Sequence, residues 1–205
     1  MNDFLKHYGV KGMKWGVRRY QDSDGRLTSE GKKHKKEVLF VSGSSKTQDE
    51  TSEYYRKSLP KSVIDKLNTS MNSGEKIIVG DAPGIDRQVQ DYLNSMNYRK
   101  VEIYGPGKQV RYSANSKWKT NPIDDPEHEP GSKEWLAKKD VAMTKAASKG
   151  LAVVLDEGAK ATRKNVERLV SQNKDVDVHM LSKSGESEDK VFLGKDFVLK
   201  FMNGG

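Results

Sequence analysis

Asp81 and Asp86 flank Ala82, Pro83 and Gly84 in the stretch KIIVGDAPGIDRQVQDYL (76–93). Gly80 closes the apolar run before them, and helical spacing follows. Either carboxylate could accept hydrogen bonds from ribose hydroxyls. Two more stretches have the same character. Ser42, Gly43, Ser44 and Ser45 end the run FVSGSS, and Asp156, Glu157, Gly158, Ala159, Lys160, Ala161, Thr162 and Arg163 follow the run LAVVL. Small residues let backbone amides approach a ligand closely. Helix starts at about residues 84 and 161 would aim free N–H groups at one crevice, where anions are favoured. Lys160 and Arg163 would add positive charge. The chemistry expected is the binding of a phosphate-bearing ligand, although neither standard phosphate signature is present.

Other chemistries find less support. The chain has no cysteine, which removes disulfides, thiolate catalysis and thiolate zinc sites. His7, His34, His128 and His179 are scattered. DDPEHEP (124–130) gathers acids around His128 in a metal-like cluster, but a proline-bearing acidic loop is simply solvated in the plainer reading, and no metal is assigned. From the same long loop, 107–131, Trp118 is a candidate for base stacking, with Lys117 and Arg111 beside it for phosphate contact. That loop could equally cover the crevice as a lid.

These residues need a scaffold that brings strand ends together. Apolar runs at 38–43, 76–81, 100–106, 150–158 and 177–183 read as strands. DETSEYYRKSL and SVIDKLNTSM (49–71) follow the first, broken at Pro60, with helical spacing at Val63, Ile64, Leu67 and Met71. Helices are expected over 84–96, over 132–149 with Ser132 as N-cap, and over 161–173. The alternation predicts an α/β, Rossmann-like fold: a mostly parallel sheet of about five strands with helices on both faces. In that architecture ligands gather at the carboxyl ends of the strands. Three segments are expected: a basic tail over 1–36, the α/β domain over 37–184, and a C-terminal β hairpin extension over 185–205 with its turn at Gly194–Asp196.

The net charge is +8, and residues 1–36 hold ten Lys/Arg against four acids, +6 of that total. The remaining +2 is too little for the globular part to bind nucleic acid through phosphate contacts. No apolar run approaches the roughly 20 residues of a membrane span, and the first residues lack the apolar stretch of a secretory signal. Tyr8, Trp15 and Tyr20, spaced among glycines in the tail, point to docking on a partner.

FVSGSS, IIVGDAPGID and KKDVAMTKAASKGLAVVLDEGAKATRKNVERLV together resemble the SLOG superfamily, which includes LOG and DprA-like proteins, and most of all its YspA/YpsA-like branch. The resemblance spans roughly residues 37–183. Its middle motif, G-x-A-x-G-x-D, is intact from Gly80 to Asp86; the late motif keeps Gly158 and Thr162 but has Ala161 where that group prefers glycine. The resemblance implies a Rossmann-like domain that binds nucleotides or nucleotide-derived sugars, often as a homo-oligomer. LOG-type hydrolases place a catalytic glutamate three residues after the motif threonine. Here that position is Asn165, which cannot serve as a carboxylate base. Glu167 lies roughly 200° further around the helix and does not replace it. HYGVKGMKWGVRRYQDSDGRLTSEGKK (7–33) is similar to a short module of phage and prophage proteins, often encoded beside structural genes.

The expectation from these readings is a phage-encoded protein that binds a nucleotide or nucleotide-derived ligand, such as an NAD-derived or cyclic-nucleotide defence signal. It would need no cofactor, and it would work in the bacterial host cytoplasm during infection or in the virion. A LOG-type N-glycosidic hydrolase and a virion-associated structural protein, docked to a phage structural partner through the tail, are the alternatives.

Overall fold

The computed structural model describes residues 37–183 and 189–202. The chain divides into two units, Met1–Lys36 and Glu37–Gly205. The expectations for the tail, and for most of the polar link after Lys183, lie outside the described residues.

Strand β1 (Val38–Gly43) leads through a short 3-10 turn (Ser45–Gln48) to helix α1 (Lys61–Asn72). Then come β2 (Lys76–Gly80), α2 (Ile85–Ser95), β3 (Val101–Pro106) and β4 (Lys119–Ile123). Helix α3 (Lys133–Ala146) carries the chain to β5 (Lys149–Leu155), which is followed by α4 (Lys160–Ser171) and β6 (Asp175–Leu181). β7 (Lys190–Leu193) and α5 (Gly194–Phe201) complete the described fold. The strands form one seven-stranded sheet in the order β4-β3-β2-β1-β5-β6-β7. All pairs are parallel except β6–β7. This is the expected Rossmann-like α/β architecture.

Alternation along each strand builds two cores. Leu39 and Val41 of β1, with Ile77, Val79, Leu151 and Val153, bury one face under Val63 and Leu67 of α1 and Ile85, Val89 and Leu93 of α2. Phe40, Ile78, Ala152 and Val154 bury the other under Met143 of α3, Val166 and Leu169 of α4 and Phe197 of α5. Each fully buried aliphatic or aromatic side chain contributes about 1.5–3 kcal/mol. The sheet is built outward from β1 to β4 on one side and from β5 to β7 on the other. The strand order therefore reverses between β1 and β5, and a crevice opens there beyond the carboxyl ends.

Three expectations are corrected. The sheet has seven strands, because residues 107–131 contain β4, KTNPI, paired parallel to β3 through Glu102↔Lys119 to Pro106↔Ile123. A polar edge strand carries no apolar alternation, and its edge position tolerates Pro122. Residues 49–60 form turns, and helix begins only at Lys61, with Pro60 in the N-cap position. The C-terminal stretch is an antiparallel edge strand followed by a helix, in place of a hairpin. Phe197 and Phe201, four residues apart, meet with tilted rings at a centroid distance of 5.1 Å. Gly194 enters that helix where a Cβ would lie 2.9 Å from Val176 and 3.0 Å from Val170.

Candidate functional site

A cavity of about 450 Å³ occupies the switch point. Its walls come from the turn after β1, the turn after β2, the start of α4 and one side of α3. Of the residues expected there, Ser42, Gly43, Ser44, Ser45, Gly80, Ala82, Pro83, Asp86, Lys160 and Thr162 line it.

The turns after β1 and β2 are locked to each other. Ile85 N–H donates to the Ser44 carbonyl at 3.1 Å, and Gly84 N–H to Gln48 Oε1 at 2.9 Å. Gly84 adopts φ 83°, ψ −132°, and a Cβ there would sit 2.2 Å from the Ser44 carbonyl oxygen. At Gly43 a Cβ would sit 2.3 Å from that of Ile85. Both glycines thus serve close packing of turn on turn, not ligand approach, and the N–H groups of Gly84 and Ile85 at the start of α2 are committed inside the protein.

The start of α4 is different. Gly158 (φ 87°) and Ala159 (φ 54°) are both left-handed, and α4 has neither a side-chain cap nor an acid in its first turn. Ala159, Lys160, Ala161 and Thr162 border the cavity. An uncapped helix N-terminus with lysine beside it favours an anion. Lys46, from the turn after β1, also lines the cavity.

Asp86, Lys139 and Asp140 form the floor. All three are buried. Gly80 makes room for them: a Cβ there would lie 2.2 Å from Asp86 Oδ2 and 3.0 Å from Lys139 Nζ. Burial pushes the Asp86 carboxyl up to about 7, against the opposing attraction of Lys139. Lys139 donates to Asp140 Oδ1 at 2.8 Å. Burial works against its ammonium, but Asp140 and Asp86 outweigh that and hold its pKa above the ordinary lysine value. The pair Lys139–Asp140 was missed in the sequence. Its signal was present: Leu136, Lys139, Asp140 and Met143 share one helical stripe, so the charges fall where apolar residues belong.

The remaining expected residues do other work. Asp81 is fully buried and accepts from Arg111 N–H at 2.8 Å and from its Nε at 3.0 Å, with Nη2 completing the fork. It anchors the loop after β3, and Arg111 is the loop residue that reaches the cavity. Asp81 is therefore not the free ribose acceptor expected. Trp118 is 5% exposed in the core, its Nε1–H donating to the Tyr98 carbonyl at 2.9 Å, so it is no stacking platform. Arg163 turns away from the cavity and clamps the preceding turn through the carbonyls of Gly158 (3.0 Å), Leu155 (2.8 Å) and Asp156 (3.1 Å). Glu157 is exposed and pairs with Lys183 at 3.6 Å. Gly158 supplies the left-handed turn outside the lining. Gly84 belongs to the turn lock.

Asn165 lies in the wall with both ends of its amide engaged. Its Nδ2 donates to Ser42 Oγ at 3.0 Å, and its Oδ1 accepts from Arg168 at 2.7 Å. Elsewhere, the acidic cluster holds Asp125 and His128 at 2.8 Å, with Lys138 reaching Asp125 at 3.7 Å and Glu127 at 3.3 Å as its counter-charge. Among the described residues no helix is long and apolar enough to cross a membrane.

Residues 1–22 match DUF7211, a family of unknown function. No curated protein and no solved structure matches the chain.

Proposed function

We propose that this chain is a binding protein for a phosphate-bearing, nucleotide-type ligand held at the switch-point cavity. The observation that carries the reading is the uncapped start of α4 facing that cavity at the carboxyl ends of β1 and β2. A volume of about 450 Å³ suits a mononucleotide-sized group, within the range of small-molecule sites. Serine hydroxyls, Lys46 and Lys160 add donors around the anion position. The resemblance of these same turns to SLOG domains points to the same ligand class.

Retention fits the site better than turnover of the LOG type. The position of the glutamate is held by Asn165, whose amide is already committed to Ser42 and Arg168. In the phage context given by the resemblance of residues 7–33, a non-hydrolysing binder would sequester a nucleotide-derived defence signal of the host. The hydrolase remains a second reading on one ground: Asp86 and Asp140 place carboxyl groups in the same cavity.

A thermal-shift screen against NAD, ADP-ribose, cyclic ADP-ribose isomers, AMP and cyclic dinucleotides tests this, followed by mass analysis of the released ligand. A shift with the ligand recovered intact is expected. Cleaved products would replace the binder with the hydrolase, and no shift with any of them would remove the nucleotide reading.

A further inference from the structure

The two ends of the cavity differ in charge. The α4 end presents bare N–H groups and Lys160. The floor presents two carboxyls and one ammonium, and that ammonium is bonded to Asp140. Around Asp86 stand Lys139 and Asp140 from α3, Asp81 from its own turn, and Arg111 from the loop after β3. Arg111 forks onto Asp81, so both nearby cations are committed to other carboxylates. The Ala82 N–H adds a further contribution that favours its ionised form. The Asp86 carboxyl is thus buried in the cavity wall beside the bare Cα of Gly80, sharing the attraction of Lys139 with Asp140 and forming no ion pair among the described residues. A carboxyl so placed holds a proton near neutrality, and donors that arrive from a ligand favour its ionised form.

We propose that Asp86 is the recognition group at the floor of the cavity: it accepts hydrogen bonds from vicinal hydroxyls of a phosphate ester whose phosphate lies on the α4 N-terminus, and it releases its proton to solvent as those hydroxyls dock. This rests on the nucleotide reading above and adds two things to it, the direction in which the ligand lies and a proton count. It singles out ribose-bearing phosphate esters over those that lack the diol.

Calorimetric titration of the full chain at pH 7, repeated in two buffers of different ionisation enthalpy, reads the proton count. The probes are AMP and 2′,3′-dideoxyadenosine monophosphate, which share the same phosphate, and inorganic phosphate. AMP is expected to release about half a proton more than the dideoxy compound, because a group that titrates near 7 is about half protonated there. The excess is expected to vanish at pH 8.5. Asp86→Asn is expected to abolish the excess and to weaken AMP about tenfold, the scale of a lost charge-assisted hydrogen bond. If AMP and the dideoxy compound bind alike with equal proton release in the wild-type protein, the inference fails while the nucleotide reading stands; this comparison needs no variant. An excess that persists in a folded Asp86→Asn protein also overturns it. If neither nucleotide nor phosphate binds, both fall.

Discussion

The glycine-bearing turns that border the cavity are built on opposite principles. The pair formed by Ser42–Gln48 and Gly80–Ile85 is closed: Ile85 and Gly84 donate to Ser44 and Gln48, and the two backbones touch where side chains would collide. The turn at Gly158–Thr162 is open. It has the same small residues, yet nothing lies within 4 Å of a Cβ built at Gly158, and α4 begins with no cap. The turn after β2 therefore shapes the wall, while the turn before α4 presents the uncapped helix start. A glycine-rich motif marks a place where backbones come close; only the structure says whether the close partner is a ligand or another turn.

The sharpest way to break this comparison is Gly84→Ala against Gly158→Ala. The first must leave a glycine-only conformation and displace the Ser44 carbonyl. It is expected to cost about 3–5 kcal/mol in denaturant unfolding. The second pays only the left-handed penalty, about 1–2 kcal/mol. Equal losses would mean that the two turns are built alike.

Next in size is the pH response of the closed side. The Asp86 carboxyl titrates near 7 in the folded chain against an ordinary 3.8. Below about pH 4 it is protonated in both states and costs nothing. As the pH rises toward 7 the unfolded chain ionises and the folded chain resists, so this group withdraws stability, at most about 4 kcal/mol, and the loss levels off above 7. Asp86→Asn should remove that slope and melt higher than the wild type at pH 8.5. A melting curve with the same pH slope in both proteins would show that Asp86 is ionised throughout.

The fold was legible where burial wrote itself into apolar runs, as in VLFVSG, KIIVG and LAVVL. It was not legible at KTNPI, an edge strand held by backbone pairing, nor at DFVLKFM, where near-continuous apolar residues suit strand and helix alike. Within the site, backbone-level readings located the turns after β1 and β2 and the first turn of α4. Side-chain directions were beyond reach. Asp81 and Asp86 are both acids in one motif, but one is turned back onto Arg111 and the other onto the cavity floor. Arg163 and Trp118 were misread for the same reason: their types suit a ligand, and their partners are carbonyls of this chain.

The smallest change in the fold gives the most direct test of the central claim, that the open start of α4 holds the ligand's phosphate. Ala161 is exposed in the first turn of α4 and borders the cavity. Ala161→Asp places a negative charge where a helix welcomes one, so stability is expected to hold or to rise by about 0.3–1 kcal/mol. The same charge would occupy the anion position and repel a phosphate. Titration of AMP into the wild-type and Ala161→Asp proteins is the measurement. The expected result is an intact or raised melting temperature with at least a tenfold loss of AMP affinity. A variant that melts as expected and binds AMP as tightly as the wild type would contradict it.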